Sequence, residues 1–113
     1  MTLATVAVIE QEHDIRMLLG DILNRCGFKT LLFPRIENSQ QELRKQNVDL
    51  VVADLYTART IDPEISAPFV MIASYLPEGR EKEIMKSGAR SVLKKPFSIQ
   101  ELMDIVRRCI AEN

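Results

Sequence analysis

Asp54 closes the apolar run Asp49-Leu50-Val51-Val52-Ala53, at what reads as the carboxyl end of a fully buried parallel strand. Open α/β sheets place their chemistry at such ends. Three further runs align with it. Val6-Ala7-Val8-Ile9 leads into Glu10-Gln11-Glu12, Phe69-Val70-Met71-Ile72 into Ala73-Ser74, and Ser91-Val92-Leu93 into Lys94-Lys95-Pro96-Phe97. Four strand ends thus converge on one site. The same pattern also fits blander roles: Asp54 as a carboxylate capping the turn after its strand, Glu10 and Glu12 as solvated loop charges, and Lys95 as a solvated lysine beside Lys94. The fixed backbone of Pro96-Phe97 favours a paired Lys95. A phosphate-cradling cofactor loop after the first strand needs glycines or hydroxyls. Glu10-Gln11-Glu12 would instead repel a phosphate, which sets that class aside.

The elements that position these groups follow from periodicity. Ile15, Leu18, Leu19, Ile22, Leu23 and Cys26 recur at helical spacing, so residues 14–26 are expected to form an amphipathic helix stopped by Gly27. Lys29 to Phe33 reads as a short strand ended by Pro34. Glu37 to Gln46 reads as a polar surface helix resting on Ile36 and Leu43. Pro77 stands where a helix can begin, with residues 78–86 turning Ile84 and Met85 inward before Ser87-Gly88. Ser98 and Glu101 form an S-x-x-E capping box, and Leu102, Ile105, Val106, Cys109 and Ile110 give the last helix its core-facing stripe. The alternation implies a doubly wound α/β fold, a five-stranded parallel sheet with helices on both faces. Only residues 54–68 separate the third and fourth strands, short for a parallel crossover, so a loop or a single turn is expected there.

The chain has 113 residues, 46% of them hydrophobic, which suits one domain spanning 1–113. Lys and Arg number 15 against 16 Asp and Glu, a formal charge of −1, which argues against direct nucleic-acid binding. Apolar stretches are too short to span a membrane, and a cytoplasmic location is expected. Cys26 and Cys109 both fall on predicted apolar stripes and are expected to be buried thiols rather than a disulfide. His13 is the only histidine, so a multi-histidine metal site or a histidine-bearing triad has little to draw on, and an exposed place near the first helix is expected for it. Met71, Met85 and Met103 read as packing residues.

Across nearly its whole length the sequence resembles the receiver domain of two-component response regulators. The resemblance rests on Ile9-Glu10-Gln11-Glu12-His13-Asp14-Ile15-Arg16, on Asp49-Leu50-Val51-Val52-Ala53-Asp54-Leu55, and on Ser87-Gly88-Ala89 followed by Lys94-Lys95-Pro96-Phe97. It implies the flavodoxin-like receiver fold with strand order 2-1-3-4-5. It further implies that Asp54 accepts a phosphoryl group from a histidine of a sensor kinase or phosphotransfer protein, that Lys95 pairs with that group, and that the Lys95-Pro96 bond is cis. Mg²⁺ is the implied cofactor, with Glu10, Gln11 and Asp54 as its implied contacts.

Three positions and one segment depart from the family pattern. Gln11 replaces the second acid of the metal pocket, which is expected to weaken or abolish Mg²⁺ binding, with Glu12 as a candidate to compensate. Ala73 stands where a Thr or Ser normally bonds the phosphoryl group; Ser74, one residue later, would face the other side of the sheet. Val92 replaces the Tyr or Phe that normally moves with that hydroxyl. The third helix is expected to be shortened or missing, and the sheet surface this uncovers is a candidate for a homodimer or effector contact. The leading reading is a non-enzymatic receiver that signals by altered docking around its last strand and the two helices flanking it. The alternative is a degenerate receiver acting as a phosphorylation-independent interaction or dimerisation module.

Overall fold

A computed structural model describes residues 3–35, 37, 40–54, 67–73, 79–86 and 88–111, except for the side chains of residues 81, 83 and 84. The expected alternation is present: β1 (Thr5–Ile9), α1 (His13–Arg25), β2 (Lys29–Phe33), α2 (Gln40–Lys45), β3 (Leu50–Asp54), β4 (Phe69–Ala73), α3 (Arg80–Lys86), β5 (Ala89–Lys94) and α4 (Ile99–Ala111). All strand pairs are parallel, in the order β2-β1-β3-β4-β5. That is the flavodoxin-like arrangement anticipated. The expected shortening of a third crossover helix concerns residues 55–66, outside the described residues, as do Ile36, Ser74 and Pro77.

The central strands read as apolar runs because both their faces are covered. Even-numbered Val6, Val8, Leu50, Val52, Val70 and Ile72 pack with Leu19, Ile22 and Leu23 of α1 and with Leu102, Met103, Val106 and Cys109 of α4. Odd-numbered Ala7, Ile9, Val51, Ala53, Phe69, Met71 and Ala73 form the opposite layer, where Leu43 of α2 is buried. The strand period of two assigns each residue to its layer, and with it the direction of the residue that follows each strand.

Both long helices end and begin on local signals. After Arg25, Gly27 has φ +94°, its N–H donates to the Asn24 carbonyl at 3.1 Å, and the Phe28 N–H donates to the Leu23 carbonyl at 3.0 Å. These two bonds form a Schellman motif, which requires a left-handed residue where Gly27 stands. At the other long helix, Ser98 Oγ accepts the Glu101 N–H at 3.0 Å and Glu101 Oε1 accepts the Ser98 N–H at 3.3 Å. The capping box is therefore closed in both directions. Ser98→Ala is expected to lower stability by about 1 kcal/mol, measured as a shift in the urea midpoint at unchanged slope; no shift would show the reciprocal bonds to be dispensable.

Three side chains depart from expectation. Cys109 is buried, but Cys26 is exposed, because the helix has already ended at Arg25 and Cys26 lies in the turn. Leu18 is exposed on α1 together with Met17. The buried arc of that helix runs through Leu19, Gly20, Ile22 and Leu23, and a Cβ placed on Gly20 would lie 2.7 Å from Leu32 Cδ1. Glycine thus brings α1 down onto β2 and leaves Leu18 at the rim of the apolar stripe. Met85 is exposed rather than inward, and the side chain of Ile84, expected inward with it, lies outside the described residues. Met71 and Met103 are core residues, as expected. The polar helix is described over Gln40–Lys45, within the anticipated 37–46, and Leu43 is its buried contact.

Candidate functional site

Register and parity together place the polar residues. Ile9 of β1 is paired with Ala53 of β3, so the next residues, Glu10 and Asp54, leave adjacent strands towards the same face of the sheet. On β5, Leu93 faces the layer of α1 and α4, so Lys94 points to the opposite layer and Lys95 returns to the face of Glu10 and Asp54. This is the physical reason that Lys95, and not its neighbour, reaches the acidic site. The backbone at that point is held by the Lys95 N–H donating to the Ala73 carbonyl at 2.8 Å, and the Lys95-Pro96 bond is cis.

Glu10 is only 4% exposed, a rare place for a carboxylate. Its Oε1 accepts the Glu12 N–H at 3.2 Å. Its Oε2 is buried without a hydrogen-bond donor among the described residues and lies 3.5 Å from Lys95 Nζ. That distance makes an ion pair rather than a well-formed hydrogen bond. Glu12 Oε1 also approaches the ammonium, at 3.8 Å, from a side chain 63% exposed. Two carboxylates therefore converge on one lysine. Asp54 is partly exposed at the end of β3, and Gln11 is exposed beside the buried Glu10.

The acidic turn is tied down by Arg16, a contributor that sequence reasoning did not assign. Its Nη1 donates to the Glu10 carbonyl at 2.8 Å and to the Gln11 carbonyl at 3.4 Å, and Nη2 lies 3.1 Å from His13 Nδ1. The available signal was an arginine one helical turn after an acidic loop, where it can fold back onto carbonyls preceding the helix. His13 is exposed at the first position of α1, as expected. At the two switch positions, Ala73 is buried at the end of β4 and Val92 is half-buried against the same layer.

A hard divalent cation requires oxygen ligands, and Mg²⁺ is commonly held by one or two carboxylates together with water and phosphate oxygens. Glu10 Oε2 supplies one buried oxygen short of partners, and Asp54 stands on the neighbouring strand. The donor chemistry fits such a two-carboxylate arrangement. No group of three His, Cys, Asp or Glu side chains among the described residues is placed to hold a metal ion.

A doubly wound parallel sheet with two acids and a lysine brought to one rim defines the receiver class of α/β domain. Residues 6–107 match the response regulator receiver domain, and the chain belongs to this family. Domains of this family generally bind Mg²⁺ at the phosphorylation site and interact with histidine kinases or phosphotransfer proteins. Sporulation initiation phosphotransferase F of Bacillus subtilis is 24% identical over 114 residues, covering 91% of this chain and 90% of that protein. The uncharacterized transcriptional regulatory protein YvcP of the same organism is 23% identical over 119 residues, covering 95% of this chain and 50% of that protein. The chain thus spans half or less of several relatives that it matches. A response regulator structure from Thermotoga maritima superposes with a TM-score of 0.87 at 21% identity, covering 97% of this chain and 99% of that one.

Proposed function

We propose that Asp54 is the phosphoryl acceptor of this receiver domain and that the chain relays a histidine-to-aspartate signal by changing what it docks. The observation that carries this reading is the common face of Glu10, Asp54 and Lys95, with the buried Glu10 oxygen matched by the Lys95 ammonium at 3.5 Å. An Asp54 carboxylate oxygen attacks phosphorus as the phosphorus–nitrogen bond to the donor imidazole breaks, giving an acyl phosphate and a free histidine. The phosphoryl oxygens bring negative charge to a rim that already carries Glu10 and Glu12. Lys95, close to both, turns its ammonium to the new anion. A Mg²⁺ ion held by Glu10 and Asp54 would supply neutralisation of the incoming oxygens.

The donor is a sensor histidine kinase or a phosphotransfer protein, and the setting is the cytoplasm. No helix among the described residues is long and apolar enough to cross a membrane. Ala73 has no hydroxyl to follow the phosphoryl group, and Val92 has no ring to swing. Output through the usual hydroxyl–aromatic pair is therefore closed to this chain. Docking changes instead with the charge of the rim itself, where Lys95 leaves Glu10 and Glu12 for the phosphoryl group.

Incubation with acetyl phosphate, followed by intact-mass measurement, tests the proposal. A phosphoryl adduct that forms with Mg²⁺ and is absent with excess chelator is the expected result. No adduct from acetyl phosphate or from a phosphorylated histidine donor would replace this reading with a phosphorylation-independent docking module.

A further inference from the structure

The turn that follows β1 carries three polar side chains, and it sorts them. Gln11 is exposed, with its carbonyl 3.4 Å from Arg16 Nη1. Glu10 and Glu12 lie on either side of it, coupled by the hydrogen bond from the Glu12 N–H to Glu10 Oε1, and both reach the Lys95 ammonium. The turn therefore directs residues 10 and 12 towards a shared cation and residue 11 towards solvent.

We infer that Glu12, rather than Gln11, supplies the second acidic side chain of the divalent-cation pocket. The inference rests on the phosphoacceptor reading of the Asp54 site. Two features of the turn point to a cation here. One is the convergence of two carboxylates on Lys95. The other is Glu10 Oε2, which belongs to a side chain only 5% exposed and has no hydrogen-bond partner among the described residues. A hard cation takes a carboxylate oxygen in preference to the amide oxygen of glutamine. Glu12 is the acid that can move, because its exposed side chain is free to turn from Lys95 towards Glu10. The movement is required, since no three acidic groups among the described residues are placed to hold a metal ion as they lie. Glutamine at the usual second position is then tolerated because the adjacent residue carries its charge.

Mg²⁺ titration of the unphosphorylated protein, followed by the backbone amide signals of Glu10, Glu12 and Asp54, reads this without a phosphoryl donor. Glu12→Gln is expected to weaken Mg²⁺ binding by about tenfold, the size of effect seen when a supporting group of a metal site is lost. Gln11→Ala is expected to change it by less than about twofold. Loss of affinity in Gln11→Ala with none in Glu12→Gln would overturn the assignment, as would two unaffected variants or a parent that binds no Mg²⁺ at millimolar concentration. Because no phosphoryl transfer is involved, a protein that binds Mg²⁺ through Glu12 yet forms no adduct would sink the phosphoacceptor reading alone.

Discussion

Asp54→Asn is expected to leave the chain folded and to abolish phosphoryl uptake completely. The substitution is isosteric, and Asp54 is the last residue of β3, partly exposed beyond the apolar run Leu50 to Ala53. The ladder that positions it, with Asp54 opposite Ile72, is made by the backbone and does not depend on the side-chain charge. The chemistry does depend on it. A carboxylate offers an oxygen nucleophile with a full negative charge, whereas the amide lone pairs are delocalised and carry none. An unchanged circular-dichroism spectrum with no mass increase after acetyl phosphate is the predicted outcome. An adduct of undiminished size in the variant would move the acceptor to another residue and remove Asp54 from the mechanism.

Lys95→Met is expected to destabilise the fold by about 2 to 3 kcal/mol, and adding Glu10→Gln is expected to return the protein to within about 1 kcal/mol of its parent. Glu10 is buried with one oxygen that no hydrogen-bond donor among the described residues reaches, and Lys95 is the cation beside that oxygen. Removing the ammonium leaves the buried Glu10 oxygen without its cation, and the Glu12 carboxylate nearby repels it, while the Glu12 N–H is already bonded to the other oxygen. A neutral amide at position 10 removes the charge that needed compensation, so the double variant loses the penalty along with the pair. The loss falls at or just below the usual range of about 3 to 5 kcal/mol for breaking a buried pair because the lysine side chain remains 18% exposed at the lip of the site. Urea unfolding of the two single variants and the double variant measures the coupling. Additive losses would show that Glu10 draws its compensation from elsewhere, and that Lys95 is free to serve the phosphoryl group alone.

These two substitutions separate the parts of the site. On the proposed phosphoacceptor reading, Asp54 acts on the incoming group, while Lys95 first pairs with the acidic turn and then answers the new charge. Arg16 belongs to the same structure through the Glu10 and Gln11 carbonyls, and so sets where the acids of residues 10–12 can point.

Sequence alone determined whatever depends on neighbours along the chain. Buried parallel strands announce themselves as apolar runs, Gly27 marks the left-handed stop of α1, and Ser98 with Glu101 marks the start of α4, because these signals act within a few residues. Asp54, Glu10 and Lys95 could be chosen because each lies at, or just beyond, the end of such a run. Tertiary structure decided what depends on how an element is rotated or how a turn is folded. Leu18 shares helical spacing with buried residues of α1, yet it lies outside the arc that the sheet covers. Cys26 keeps the spacing of the α1 stripe but falls in the turn after the helix. Gln11 and Glu12 cannot be ranked by spacing, since their directions are set by Arg16 and by the bond between Glu12 and Glu10. The strand period distinguishes Lys95 from Lys94, but the lysine's partner became known only when packing brought the end of β5 to the acids after β1.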